Sequence, residues 1–118
     1  MRGLLPKPTL LELDEYNINQ RIVEALTTVC SNAVLFSIVD EAKRAVKISQ
    51  ELRLSLSAVY KTLSQLEKLA LVRVERFEFS SEGKKIKKYR SKIKSASISI
   101  SGNEFVVSLN PLRIPGKD

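Results

Sequence analysis

Apolar residues between positions 45 and 72 recur at helical spacing, pause, and recur again. Ile48 and Leu52 are four apart and share a helix face, Leu54 stands in the gap, and Val59, Leu63 and Leu66 form a second stripe at i, i+4 and i+7. The pattern predicts two short helices joined by a tight turn that Leu54 plugs, a helix-turn-helix. On the second helix, expected over about 56–69, the face opposite Val59 holds Ser57, Lys61, Ser64 and Lys68, with Tyr60 and Gln65 on its flanks. Small, polar and basic groups placed this way suit a DNA groove, and they do not suit a helix buried all round.

Upstream, Ile18, Ile22, Val23, Leu26 and Val29 predict a helix from Asn17, which can cap it with Gln20 three residues on. Ser31 or Asn32 is expected to interrupt the chain. Val34, Leu35, Ile38, Val39 and Ala42 then predict a supporting helix, linked to the motif by Lys43-Arg44. The segment before Asn17 contains Pro6 and Pro8 and reads as an extended arm over residues 1–16.

Downstream, the period falls from 3.6 to 2. Val72 and Val74 alternate with Arg73 and Glu75, and Phe77 and Phe79 then take the opposite parity, which predicts a bulge or change of face near Arg76. Ser80-Ser81-Glu82-Gly83 is the expected hairpin tip, with a return strand from Lys84 to Lys94. A second hairpin pairs Ala96, Ile98 and Ile100 with Phe105, Val107 and Leu109 around Gly102-Asn103, and Pro111 ends it. Its serine face is expected to be exposed. Its apolar face needs cover, either by extending the first sheet over the core or by packing on a second subunit.

The expected class is therefore α+β: a three-helix core with a β-hairpin wing over about 76–92, an extra N-terminal helix and a C-terminal β-hairpin. The chain divides into an arm (1–16), a helix-turn-helix domain with its N-terminal helix (17–94), the second hairpin of the same domain (95–110) and a tail (111–118). At 118 residues and 43% hydrophobic, it has the material for one modest core.

Charge adds a location. Residues 1–42 hold three basic and six acidic side chains, residues 43–94 hold fifteen and five, and residues 95–118 hold two of each, within a net charge of +7. The positive charge sits on the helix-turn-helix and the hairpin after it, as expected of a phosphate-binding surface. Lysines on an edge strand can merely block aggregation, but the density from Lys84 to Lys94 favours the DNA reading. Candidate DNA contacts are Ser55, Ser57, Ala58, Tyr60, Lys61, Ser64, Gln65 and Lys68 on the helix, with Arg76, Lys84, Lys85, Lys87, Lys88 and Arg90 on the wing.

Other chemistry is excluded by composition. The chain has no His and a single Cys, Cys30, so one chain can build neither a His/Cys metal site nor a Cys-His nucleophile. No metal, cofactor or enzymatic role is expected, and Cys30 reads as a small core residue at a helix end. No apolar run approaches the ~18–20 residues of a membrane span, and the first six residues do not make a signal peptide, so a cytoplasmic, nucleoid-associated protein is expected.

The run Leu54-Ser55, Ser57-Ala58-Val59, Leu63, Leu66 and Leu69-Ala70-Leu71-Val72, followed by a basic hairpin carrying Tyr89 on its second strand, resembles the winged helix-turn-helix of ArsR-type and related archaeal and bacterial regulators. The resemblance covers roughly residues 32–92. It implies three helices plus a wing, a symmetric dimer and control of transcription by operator binding. By position, Ser57, Ala58, Tyr60 and Lys61 would face the major groove, Ser55 would cap the helix, and Lys84, Lys85, Lys87 and Lys88 would lie on the wing. Arg53 and Ala70 stand where glycine is common, so both junctions are expected to use non-glycine geometry.

Two functions remain: a homodimeric regulator of double-stranded DNA with recognition helices about 34 Å apart, or a winged-helix adaptor that binds protein in a multi-subunit assembly. Charge favours the first. The apolar set Ile18, Ile22, Val23, Leu26 and Val29 exceeds what one extra helix would bury on so small a core, and is the expected dimer interface.

Overall fold

The structure is a computed structural model that describes residues 10–102 and 104–113. Four helices, α1 (Leu10–Thr27), α2 (Val29–Ser37), α3 (Ala45–Leu52) and α4 (Leu56–Lys68), precede four strands, β1 (Val72–Phe79), β2 (Lys85–Ser91), β3 (Ile93–Ser101) and β4 (Glu104–Pro111). The helices and the first hairpin surround one core in which Leu35, Ile38, Ile48, Leu63, Leu66 and Leu71 are almost fully enclosed. Each such side chain contributes about 1.5–3 kcal/mol by leaving water. All but Leu71 are apolar positions that the sequence periodicity selects, which is why the helix-turn-helix forms where expected.

Helix α1 begins earlier than the sequence reading placed it. Beyond Pro8 nothing breaks a helix until Thr28, so residues 10–16 are helical instead of an extended arm, and Asn17 lies inside α1 instead of capping it. Residues 1–9 of that arm lie outside the described residues. The break between α1 and α2 is at Thr28, whose backbone is extended at ψ 132°, and not at Ser31 or Asn32. Asn32 instead reaches back from within α2, donating from Nδ2 to the Leu26 carbonyl at 2.7 Å. Helix α2 stops at Ser37, before the Val39 and Ala42 of the expected segment, although Ile38 and Ala42 remain buried.

Both ends of the helix-turn-helix carry positive-φ residues that are not glycine, against the expectation of non-glycine geometry. Arg53 closes α3 at φ 57° and Ala70 follows α4 at φ 60°. At the second junction Leu71 N–H donates to Leu66 O and Ala70 N–H to Glu67 O, both at 2.9 Å, the paired bonds of a Schellman cap. Ser55 opens α4, its hydroxyl accepting from Ala58 N–H at 3.1 Å, as the resemblance implied.

The first hairpin is the wing, with Phe77 opposite Lys87 and Phe79 opposite Lys85. Its register shifts between Val74 and Arg76, so Glu75 is the bulged residue that the parity change foretold. Lys43, expected to be part of a link, pairs with Tyr89 through backbone bonds of 3.0 and 2.8 Å and supports the base of the wing.

The second hairpin starts at Ile93, and the return strand expected to reach Lys94 ends at Ser91. Ser91 is fully buried and turns the chain: its hydroxyl donates to Ile93 O at 2.6 Å and accepts from Ile93 N at 3.1 Å. The two hairpins form separate sheets, so the second does not extend the wing. Ala96 and Val107 touch the core, whereas Ile98, Ile100, Val106 and Leu109 are exposed.

Candidate nucleic-acid interface

Helix α4 buries Val59, Thr62, Leu63 and Leu66 and turns the opposite face outward. Ser57, Lys61, Ser64 and Lys68 are exposed along that face, with Tyr60 and Gln65 exposed on its flanks, while Ala58 is half-buried beside the stripe. Gln65 and Lys68 also border a cleft of about 420 Å³ whose other wall includes Arg21 and Glu24 of α1. The C-terminal turn of α4 therefore shares its surroundings with α1, and the Ser57–Lys61–Ser64 part is the open one.

The wing presents two unlike faces because its strands alternate. On one, Lys88 pairs with Glu78 at 3.4 Å, with Arg76 and Ile86 alongside. On the other, Phe77 and Phe79 alternate with Lys87 and Lys85 across the ladder, and the Lys85 ammonium lies 4.0 Å from the centre of the Phe77 ring. Lys85 and Lys87 border a cleft of about 440 Å³ whose other walls include Arg44, Ala45 and Val46 at the start of α3 together with Tyr60 of α4, so the wing, the start of α3 and one residue of α4 border one concavity. Tyr89 forms part of the same lining and is otherwise buried. Burial, then the charge of Glu67 and the neighbouring Tyr60, pushes its phenol above the usual tyrosine range.

Charge pairing separates the basic residues into two groups. Glu75 gathers three arginines, with Arg76 Nη1 at 2.6 Å, Arg90 Nη1 at 2.9 Å and Arg73 Nη2 at 3.8 Å. Arg90 also donates from Nε to the Val39 carbonyl at 3.0 Å. The structure thus engages Arg90, Arg76 and Lys88 within the protein, although sequence reasoning counted them with the free wing cations. Lys61, Lys84, Lys85 and Lys87 form no ion pair among the described residues and are exposed. Sequence reasoning missed the exposed Phe77 and Phe79 as surface groups; their shared parity with two lysines was the available signal.

The five apolar residues expected at a dimer interface do not form one open stripe. Leu26 is 7% exposed within the core and Ile22 packs against it, whereas Ile18 is 52% and Val29 85% exposed. Val29 opens α2 and does not continue α1. Cys30, half-buried, lies 3.5 Å through Sγ from Thr62 Oγ1.

Among solved structures the chain is similar to NolR from Sinorhizobium fredii, with 20% identity, a TM-score of 0.58, and coverage of 76% of this chain and 84% of that one. The fold is a winged helix. No family model and no curated protein matches the chain. Among the described residues no cluster of three or more Cys, Asp or Glu side chains could hold a metal ion, and no helix is long and apolar enough to cross a membrane.

Proposed function

We propose that the chain is a DNA-binding transcriptional regulator that sets α4 in the major groove and the wing along the adjacent backbone and minor groove. The observation that carries this reading is the group of exposed lysines that form no ion pair among the described residues, Lys61 on α4 with Lys84, Lys85 and Lys87 on the wing; the wing also borders a cleft that Tyr60 of α4 and the start of α3 help to line. Charges left unpaired contribute little to folding, but each can release a counterion from a phosphate. Helix α4 carries no Arg or Asn, so Lys61, Tyr60 and Gln65 read bases with modest specificity and phosphates supply most of the affinity. Two copies pair through the open side of α1 and the start of α2, where Ile18 and Val29 are exposed, and the pairing sets the half-site spacing.

A mobility-shift titration of genomic and random duplexes at two salt concentrations tests this. Binding that weakens steeply with salt, and is tighter for a subset of genomic sequences, is the expected result; no binding to any duplex at low salt overturns it. The exposed Ile98, Ile100 and Val106 of the second hairpin favour a second reading, an adaptor that binds protein through that hairpin. It predicts a salt-independent partner and no duplex binding.

A further inference from the structure

We propose that Phe79, supported by Phe77, is a wedge that enters the minor groove and unstacks a base step, so that the protein bends the duplex it binds. Phe79 is the last residue of β1 before the hairpin tip and is 71% exposed; Phe77, two residues back on the same face, is 43% exposed. An aromatic ring left this open at a hairpin end adds nothing to the core. Two residues along a strand separate the rings by about 7 Å, two rises of the strand.

The surroundings identify the occupant. Lys85 stands opposite Phe79 and Lys87 opposite Phe77, so the aromatic face carries only positive charge along the ladder, while Glu78 lies on the other face and is paired with Lys88. Lys84 follows at the tip, where Glu82 occupies the turn. A neutral apolar partner would gain nothing from the lysine rim, whereas a polyanion with stackable bases matches both components. Apolar wedges flanked by cations are one way proteins open a base step from the minor groove and kink DNA. Lys85 and Lys87 also border the cleft shared with Tyr60 of α4, so a duplex seated on the recognition helix has the aromatic face beside it.

This inference rests on the DNA-binding reading, and the test separates the two. The full chain is titrated onto an A·T-rich duplex of about 30 base pairs, labelled at both ends for energy transfer and carrying 2-aminopurine at a central TA step, with complex formation followed in parallel by mobility shift. Wild type is expected to raise both end-to-end transfer and 2-aminopurine emission. Phe79→Ala, at an exposed position that leaves folding unchanged, is expected to bind the duplex and lose both signals, and Phe79→Leu to retain them. A wild-type complex with neither signal, or Phe79→Ala retaining both, overturns the wedge and leaves the regulator reading standing. Absence of any complex overturns both. Phe79-dependent binding to single-stranded oligo-dT without duplex bending overturns the wedge in favour of a platform for unpaired bases.

Discussion

Arg90 donates from Nη1 to Glu75 Oε1 at 2.9 Å, and this hydrogen bond makes a basic wing residue part of the scaffold. Both side chains are less than one-fifth exposed, and the bulge at Glu75 is what brings its carboxylate to Arg73, Arg76 and Arg90 together. Arg90→Ala is expected to lower unfolding free energy by about 2–3 kcal/mol, since it leaves Glu75 with less compensation and frees the Val39 carbonyl. The salt slope of DNA binding should stay near wild type. Urea denaturation and salt titration check the pair, and unchanged stability with a flatter slope would return Arg90 to the phosphate-binding group.

Lys61 is exposed on the side of α4 away from Val59. Lys61→Ala should weaken specific DNA binding by about 1–3 kcal/mol while the thermal midpoint stays put. Equal affinities at matched salt would remove α4 from the major groove.

On the wing, Lys84, Lys85 and Lys87 form no ion pair among the described residues, whereas Lys88 holds Glu78. Changing the first three to Ala should weaken binding to all sequences alike and reduce the salt slope by about 0.9 for each phosphate that is no longer neutralised. Lys88→Ala should alter it less. A weakening confined to specific sequences would mean that these lysines read bases.

For self-association, Ile18 and Val29 are the residues to change, because Leu26 and Ile22 belong to the chain's own core and glutamate there would unfold it. Wild type should sediment as a dimer at micromolar concentration and Ile18→Glu/Val29→Glu as a folded monomer. A wild-type monomer contradicts the pairing.

Ala70 sits at φ 60°, where a side chain crowds the backbone. Ala70→Gly should raise stability by about 0.5–1 kcal/mol, the relief of strain exceeding the added unfolded-state entropy. Arg53→Gly, at φ 57°, should act in the same direction. A drop in melting temperature for both variants would show that the left-handed caps are not strained.

The sequence by itself determined the helix-turn-helix, the wing and the place where the wing's pattern breaks, because each follows from a local period. Ile48, Val59, Leu63 and Leu66 fix which helix faces turn inward, and the switch of Phe77 and Phe79 to the parity opposite Val72 and Val74 signals a bulge or a change of face, which the strand register resolves as a bulge at Glu75. It also fixed the outward face of α4, since a helix that buries Val59 must present Lys61. What only the tertiary structure decided depends on interactions between distant positions. Arg90 and Lys87 look alike in sequence, yet one meets Val39 and Glu75 and the other meets water. Leu26 and Val29 look like one stripe, yet the break at Thr28 sends the first into the core and the second to the surface. Ser91, one serine among many, turns the chain because its buried hydroxyl both donates to and accepts from the backbone of Ile93. Periodicity reports which way a side chain points from its own element; it carries no record of which charge, carbonyl or chain reversal waits on the other side.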